Sequence, residues 1–138
     1  MNLKYLRINE MALLLLLFAL LCIGEIYALQ GDPAHIVLFT GEDYSSKHDA
    51  FYKETAAAIM KDELKKYGIT FDERSITIRA RSWLGKVEID IYSDNAGVDC
   101  EELPAFVKDM IKRSFLVTGA NVRCGSDPNV IYVGKNHP

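Results

Sequence analysis

Asp43, Ser45, His48 and Asp49 crowd one short stretch of the chain and bring together a hydroxyl, an imidazole and two carboxylates. Those groups could form a nucleophilic triad, in which the imidazole takes the hydroxyl proton and a carboxylate orients the imidazole. The surrounding residues argue for a plainer role. Ser45 and Ser46 stand where a helix N-cap is wanted. Asp49 follows Ser46 at capping-box spacing, where a carboxylate also suits the helix dipole. No Gly-x-Ser-x-Gly turn is present to strain a nucleophile into reach. With Glu42 the stretch offers four donors to a metal, but one histidine among scattered carboxylates lacks ligand spacing. His35 and His137 have no neighbour that implies acid–base work. Phosphate loops, dinucleotide glycines, His-Glu-x-x-His and Cys-x-x-Cys are absent from the sequence. The expectation is a protein that is not an enzyme and needs no cofactor or metal.

The cysteines carry a different chemistry. Cys22 lies in a leader made of Lys4 and Arg7, an apolar run over 11–23, and Gly24, Glu25 and Ala28. That run is too short to cross about 30 Å of hydrocarbon as a helix, and it has the size of a signal-peptide core. The expected organisation is a signal peptide over 1–28, a lead-in over 29–34 and one domain over 35–138. An uncleaved anchor is the alternative. A lipoprotein is not favoured, because Leu21 is larger than such sites usually accept before the cysteine. Cys100 and Cys124 then remain, and an even pair in an exported chain is most simply a disulfide. Two buried free thiols are the other reading. The destination is secreted or periplasmic.

Lys4, Arg7, Glu10 and Glu25 leave with the leader, so the net charge of −3 is unchanged. Charges of both signs are interspersed without a basic block, which argues against nucleic acid or anionic membrane as the partner.

The hydrophobic period of the domain switches between 2 and 3.6. Residues 35–40 are β-branched, aromatic and apolar, and read as a central strand buried on both faces or nearly so. Tyr52, Ala56, Ile59, Met60, Leu64 and Tyr67 share one face of a helix over 46–67, with Gly68 placed for a left-handed stop. Ile76, Ile78 and Ala80, then Val87, Ile89 and Ile91, alternate with polar residues as two strands. A four-residue turn over 82–85 sets Arg79 opposite Glu88 and Ile78 opposite Ile89. Trp83 in that turn either packs across the hairpin end or anchors a contact with another protein. Pro104 opens a second helix over 102–115, with Leu103, Phe106, Val107, Met110, Ile111 and Ser114 inward. A longer connection follows, with room for a short strand near Val122, and residues 130–133 form the last strand. Strand, helix, strand, strand, helix, strand describes an α+β fold. It predicts a ferredoxin-like βαββαβ split βαβ sandwich, with two helices on one face of a four-stranded antiparallel sheet.

The domain resembles the propeptides of subtilisin-like serine proteases and the free-standing inhibitors related to them. The similarity rests on the opening strand Ile36-Val37-Leu38-Phe39, on His48 and on Trp83-Leu84-Gly85. It rests most on the closing Asp127-Pro128-Asn129-Val130-Ile131-Tyr132-Val133. The resemblance implies a subtilisin-like protease as partner, docked on the open sheet face at Thr77, Arg79, Glu88 and Asp90. It also implies that Gly134, Lys135, Asn136, His137 and Pro138 extend toward the protease cleft. With the tail ending at Pro138, the sheet is expected to matter more than filling the primary pocket. The alternative is an exported ferredoxin-like module with another structural or interaction role.

Overall fold

A computed structural model describes residues 10–19 and 32–135, so the expected cut near Ala28 and Asn136, His137 and Pro138 lie outside the described residues. The chain divides into two units, Met1–Gln30 and Gly31–Pro138. In the first, residues 10–19 form helix α1, whose side chains are all exposed. Among the described residues no helix is long and apolar enough to cross a membrane.

Among its described residues the second unit holds five strands and two α-helices. β1 (Ala34–Asp43) leads through a 3-10 turn at Ser46–His48 into α2 (Asp49–Lys66). β2 (Ile76–Trp83), β3 (Lys86–Ser93), α3 (Leu103–Lys112), β4 (Val117–Cys124) and β5 (Ile131–Gly134) follow. The sheet is antiparallel throughout, in the order β2-β3-β1-β4-β5. The domain is therefore α+β, with β1 central as its apolar run implies.

Alternation decides the faces. Ala34, Ile36, Leu38 and Thr40 of β1 are buried, while His35, Val37 and Phe39 between them are half-buried. The buried set joins Val87, Ile89 and Ile91 of β3 and Val117, Ala120 and Val122 of β4 in one core. Tyr52, Ala56, Met60 and Leu64 of α2 and Leu103, Phe106, Val107, Met110 and Ile111 of α3 fill it from the helical side. Each helix has one apolar stripe, so both can be satisfied only by lying on the same sheet face. α2 stops where Gly68, at φ 69°, turns left-handed and donates to Lys65 O while Ile69 donates to Leu64 O. That pair of bonds is a Schellman close.

Four expectations need correction. No side-chain cap is made by Ser45, Ser46 or Asp49; the entry to α2 is the 3-10 turn, closed by His48 N donating to Ser45 O. The hairpin turn has two residues, Leu84 and Gly85, both at positive φ as a type I′ turn requires. The register consequently slips by two, setting Arg81 opposite Glu88, Arg79 opposite Asp90 and Ile78 opposite Ile91. An even slip keeps every side chain on its expected face. The stretch near Val122 is not a short extra strand but the eight-residue β4 beside β1, and residues 131–134 add a fifth strand outside it.

Cys100 and Cys124 form a disulfide with a Cα–Cα distance of 5.5 Å. It joins the approach to α3 to the end of β4, closing a loop that spans both of these consecutive elements.

Candidate functional site

Among the described residues nothing covers the sheet face away from the helices, and its composition is uneven. Thr77, Arg79, Arg81 and Trp83 of β2 lie beside Tyr92, Asp90, Glu88 and Lys86 of β3. His35, Val37 and Phe39 of β1 continue the face to Arg123, Asn121 and Gly119 of β4, and then to Tyr132 of β5. Thr77, Arg79, Glu88 and Asp90 are thus brought together, as the alternation expects.

Their environments differ. Arg81 reaches across the strands, with Nη2 2.8 Å from Glu88 Oε2 and Nε 2.8 Å from Asp90 Oδ2. His35 Nε2 lies 3.2 Å from Asp90 Oδ1. Glu88 is only 6% exposed and faces the exposed Arg81 guanidinium as an ion pair, although its Oε2 accepts no well-aligned hydrogen bond among the described residues. Thr77 and Arg79 remain exposed on β2.

Around this network lie aromatic rings that the sequence reading did not collect. Trp83 is 56% exposed, Tyr132 61% and Tyr92 46%. Trp83 therefore does not fold back to bury itself across the hairpin end. Phe39 and Tyr132 stack with centroids 6.5 Å apart. Gly119 makes room for that ring, since a Cβ there would sit 2.6 Å from the Tyr132 hydroxyl oxygen. A depression of about 280 Å³ runs between Val37, Phe39, Arg81, Trp83, Glu88 and Asn121. A second, of about 200 Å³, adjoins it through Val37 and Asn121 and reaches His35 and Arg123. The signal that could have found Val37 and Phe39 is their parity: they fall on the face of His35, opposite Ile36 and Leu38.

The tail begins at the end of β5. Lys135 is tied back to the domain, its Nζ donating to Ser114 O and its N–H to Thr118 O at 3.4 Å. The last three tail residues are outside the described residues.

The triad materials do not converge. Asp43 is exposed and bonds Lys86 at 2.6 Å, and that bond together with the ammonium charge holds its carboxyl below the usual range. Asp49 instead accepts from the Tyr44 hydroxyl at 3.4 Å. Among the described residues, no three His, Cys, Asp or Glu side chains gather as metal ligands would.

A family model for the secreted clade V proteins matches residues 34–131, from the start of β1 to the first residue of β5. The chain belongs to that family. It is a secreted protein, and the match contains both cysteines of the disulfide, the whole hairpin, and Phe39, Trp83 and Tyr92 of the open face. The matched family is not that of the subtilisin propeptides, so the propeptide resemblance stands only on the motif residues quoted for it. No curated protein and no solved structure matches the chain.

Proposed function

We propose that this secreted clade V protein is a non-catalytic binding module that takes a partner protein on its open sheet face. The observation that carries the reading is the exposed group Trp83, Tyr92 and Tyr132 around an ion pair between exposed Arg81 and buried Glu88. Tryptophan, tyrosine and arginine dominate the energetic centres of protein interfaces, and an exposed apolar group with a polar rim marks such a centre. Arg81 is already ordered by two carboxylates, so little side-chain freedom is lost when a partner covers it. In fold terms, β2-β3-β1-β4 with both helices on one face supports a ferredoxin-like split βαβ unit extended by β5.

The narrower form, inhibition of a subtilisin-like protease, rests on the resemblance of Trp83-Leu84-Gly85 and the closing Asp127–Val133 segment. In this chain that closing segment leads into a fifth, outer strand, so the tail leaves from the sheet's edge beyond β4.

The general reading is tested with a photo-crosslinking amino acid placed at Trp83, at Tyr132 and, as control, at exposed Lys65 on α2. In the medium into which the protein is secreted, a discrete adduct is expected from the first two positions and not from the third. Adducts from Lys65 alone would refute the open face as the docking surface. The protease form is tested by titrating the protein against several secreted subtilisin-like proteases, intact and truncated after Gly134. Modest reversible inhibition that weakens on truncation supports it. Digestion by all of them without transient inhibition leaves the general module.

A further inference from the structure

β2 is an outer strand eight residues long, and its far edge pairs with no strand among the described residues. An open edge of that length is a template for another chain. Alongside it lies a groove of about 450 Å³ between β2 and α2, lined by Ala57, Phe71, Ile76 and Ile78 with Lys53 and Glu54 at the helix side. Lys61 helps to shape its rim, lying 5.0 Å from the Phe71 ring centroid and 3.7 Å from Glu73. On the opposite face of the same strand, Arg79 is exposed and has no ion pair among the described residues. Its cross-strand neighbour Asp90 is taken by Arg81 and His35.

We infer that the β2 edge captures an extended segment of a partner protein that alternates apolar residues with an acidic one. Main-chain hydrogen bonds to the open edge would supply affinity, as in strand addition. Strand alternation then sends every second side chain into the groove against Ile76, Ile78 and Ala57. The intervening side chains lie on the open face, where a carboxylate meets the unpaired Arg79 guanidinium in a charge-assisted bond. Charge also selects against a second copy of this chain. Two β2 edges paired about the middle of the strand would set Arg79 of each copy against Arg81 of the other, like charges directly opposed.

This edge adjoins the open face through Arg79 and Trp83, so the experiment separates it from the aromatic centre at Tyr132 of β5, on the opposite edge of the sheet. The probe is a blocked octapeptide, Lys-Val-Thr-Val-Asp-Val-Thr-Lys, titrated into ¹⁵N-labelled secreted protein. Amide shifts are expected along Ile76–Trp83 and at Ala57 and Phe71. A peptide with lysine in place of the aspartate should bind about tenfold more weakly. The Arg79→Glu protein should reverse that preference, and N-methylated valines should abolish binding. The Tyr132→Ala protein, altered at the opposite edge of the sheet, should bind the octapeptide as the parent does. No shifts at several millimolar peptide, equal binding of the charge-swapped peptide by the parent protein, or binding lost with Tyr132 would each overturn the inference. So would β2 shifts that grow with protein concentration alone, which would identify self-pairing instead.

Discussion

Leu84 occupies a position where its own chemistry is a handicap. Its φ is 50° and it is 89% exposed, so it takes a left-handed conformation without burying its side chain in return. A left-handed residue with a Cβ costs about 1–2 kcal/mol, and asparagine tolerates the conformation better than leucine. Leu84→Asn, which creates Asn-Gly at the turn, should therefore raise stability by about 0.5–1 kcal/mol. Chemical denaturation at neutral pH measures it, and an unchanged or lower midpoint would show that Leu84 makes a compensating contact. The same residue explains a limit of sequence reading. Leucine before glycine does not announce a type I′ turn, so a four-residue loop is the natural expectation. Only the pairing of Trp83 with Lys86 reveals the tighter turn. The aromatic face was obscured in a similar way, because Phe39 in an apolar run looks like core until β1 is known to be flanked on only one face by helices.

Between elements, the least legible feature is Glu63. It lies inside the apolar stripe of α2 and is 1% exposed, a position a charged residue rarely takes unless paired. Arg113, just past the end of α3, reaches it at 2.7 Å, and Lys66 assists at 3.5 Å. The apolar steps at Tyr52, Ala56, Met60 and Leu64 made the helix readable, but no local pattern could show an arginine fifty positions away completing its face. Arg113→Ala should cost about 2–3 kcal/mol, less than a fully dry pair because Arg113 is partly wet and Lys66 remains. Glu63→Leu with Arg113→Met should recover most of that loss, since neither charge is then left alone. A double-mutant cycle in urea decides it, and additive losses would mean the pair is not coupled. β4 was hidden for a different reason. Gly119 and Asn121 look like loop residues, yet Gly119 is there to admit the Tyr132 ring and Asn121 faces outward. The disulfide that ends β4 was legible from cysteine count and export alone. Its removal by Cys100→Ser with Cys124→Ser should cost about 3 kcal/mol for a loop of this size. If non-reducing mass spectrometry of the secreted protein finds two free thiols, that expectation fails.

At the scale of the whole molecule, the domain's response to alkali follows from three tyrosines. Burial raises Tyr44, Tyr52 and Tyr67 above the usual phenol range, with Asp49, Glu42 and Glu63 respectively adding to the effect. Tyr52 sits deepest, at 5% exposure on the core face of α2. In the unfolded chain these phenols ionise near pH 10, whereas the folded domain holds their protons to higher pH. The folded state therefore binds more protons than the unfolded state in that window, and stability falls as pH rises. The contribution is fully present below the unfolded value near pH 10 and is lost as pH climbs through the folded values. Tyr52→Phe removes the ionisable group and keeps the ring that packs against the sheet. The variant should match the parent in urea midpoint at pH 7 and exceed it at pH 11. Lysines and the other tyrosines titrate alike in both proteins, so the difference between the two curves isolates Tyr52. Parallel curves across the range would assign the alkaline loss elsewhere. A lower midpoint for the variant already at pH 7 would show instead that the Tyr52 hydroxyl makes a stabilising bond in the folded domain.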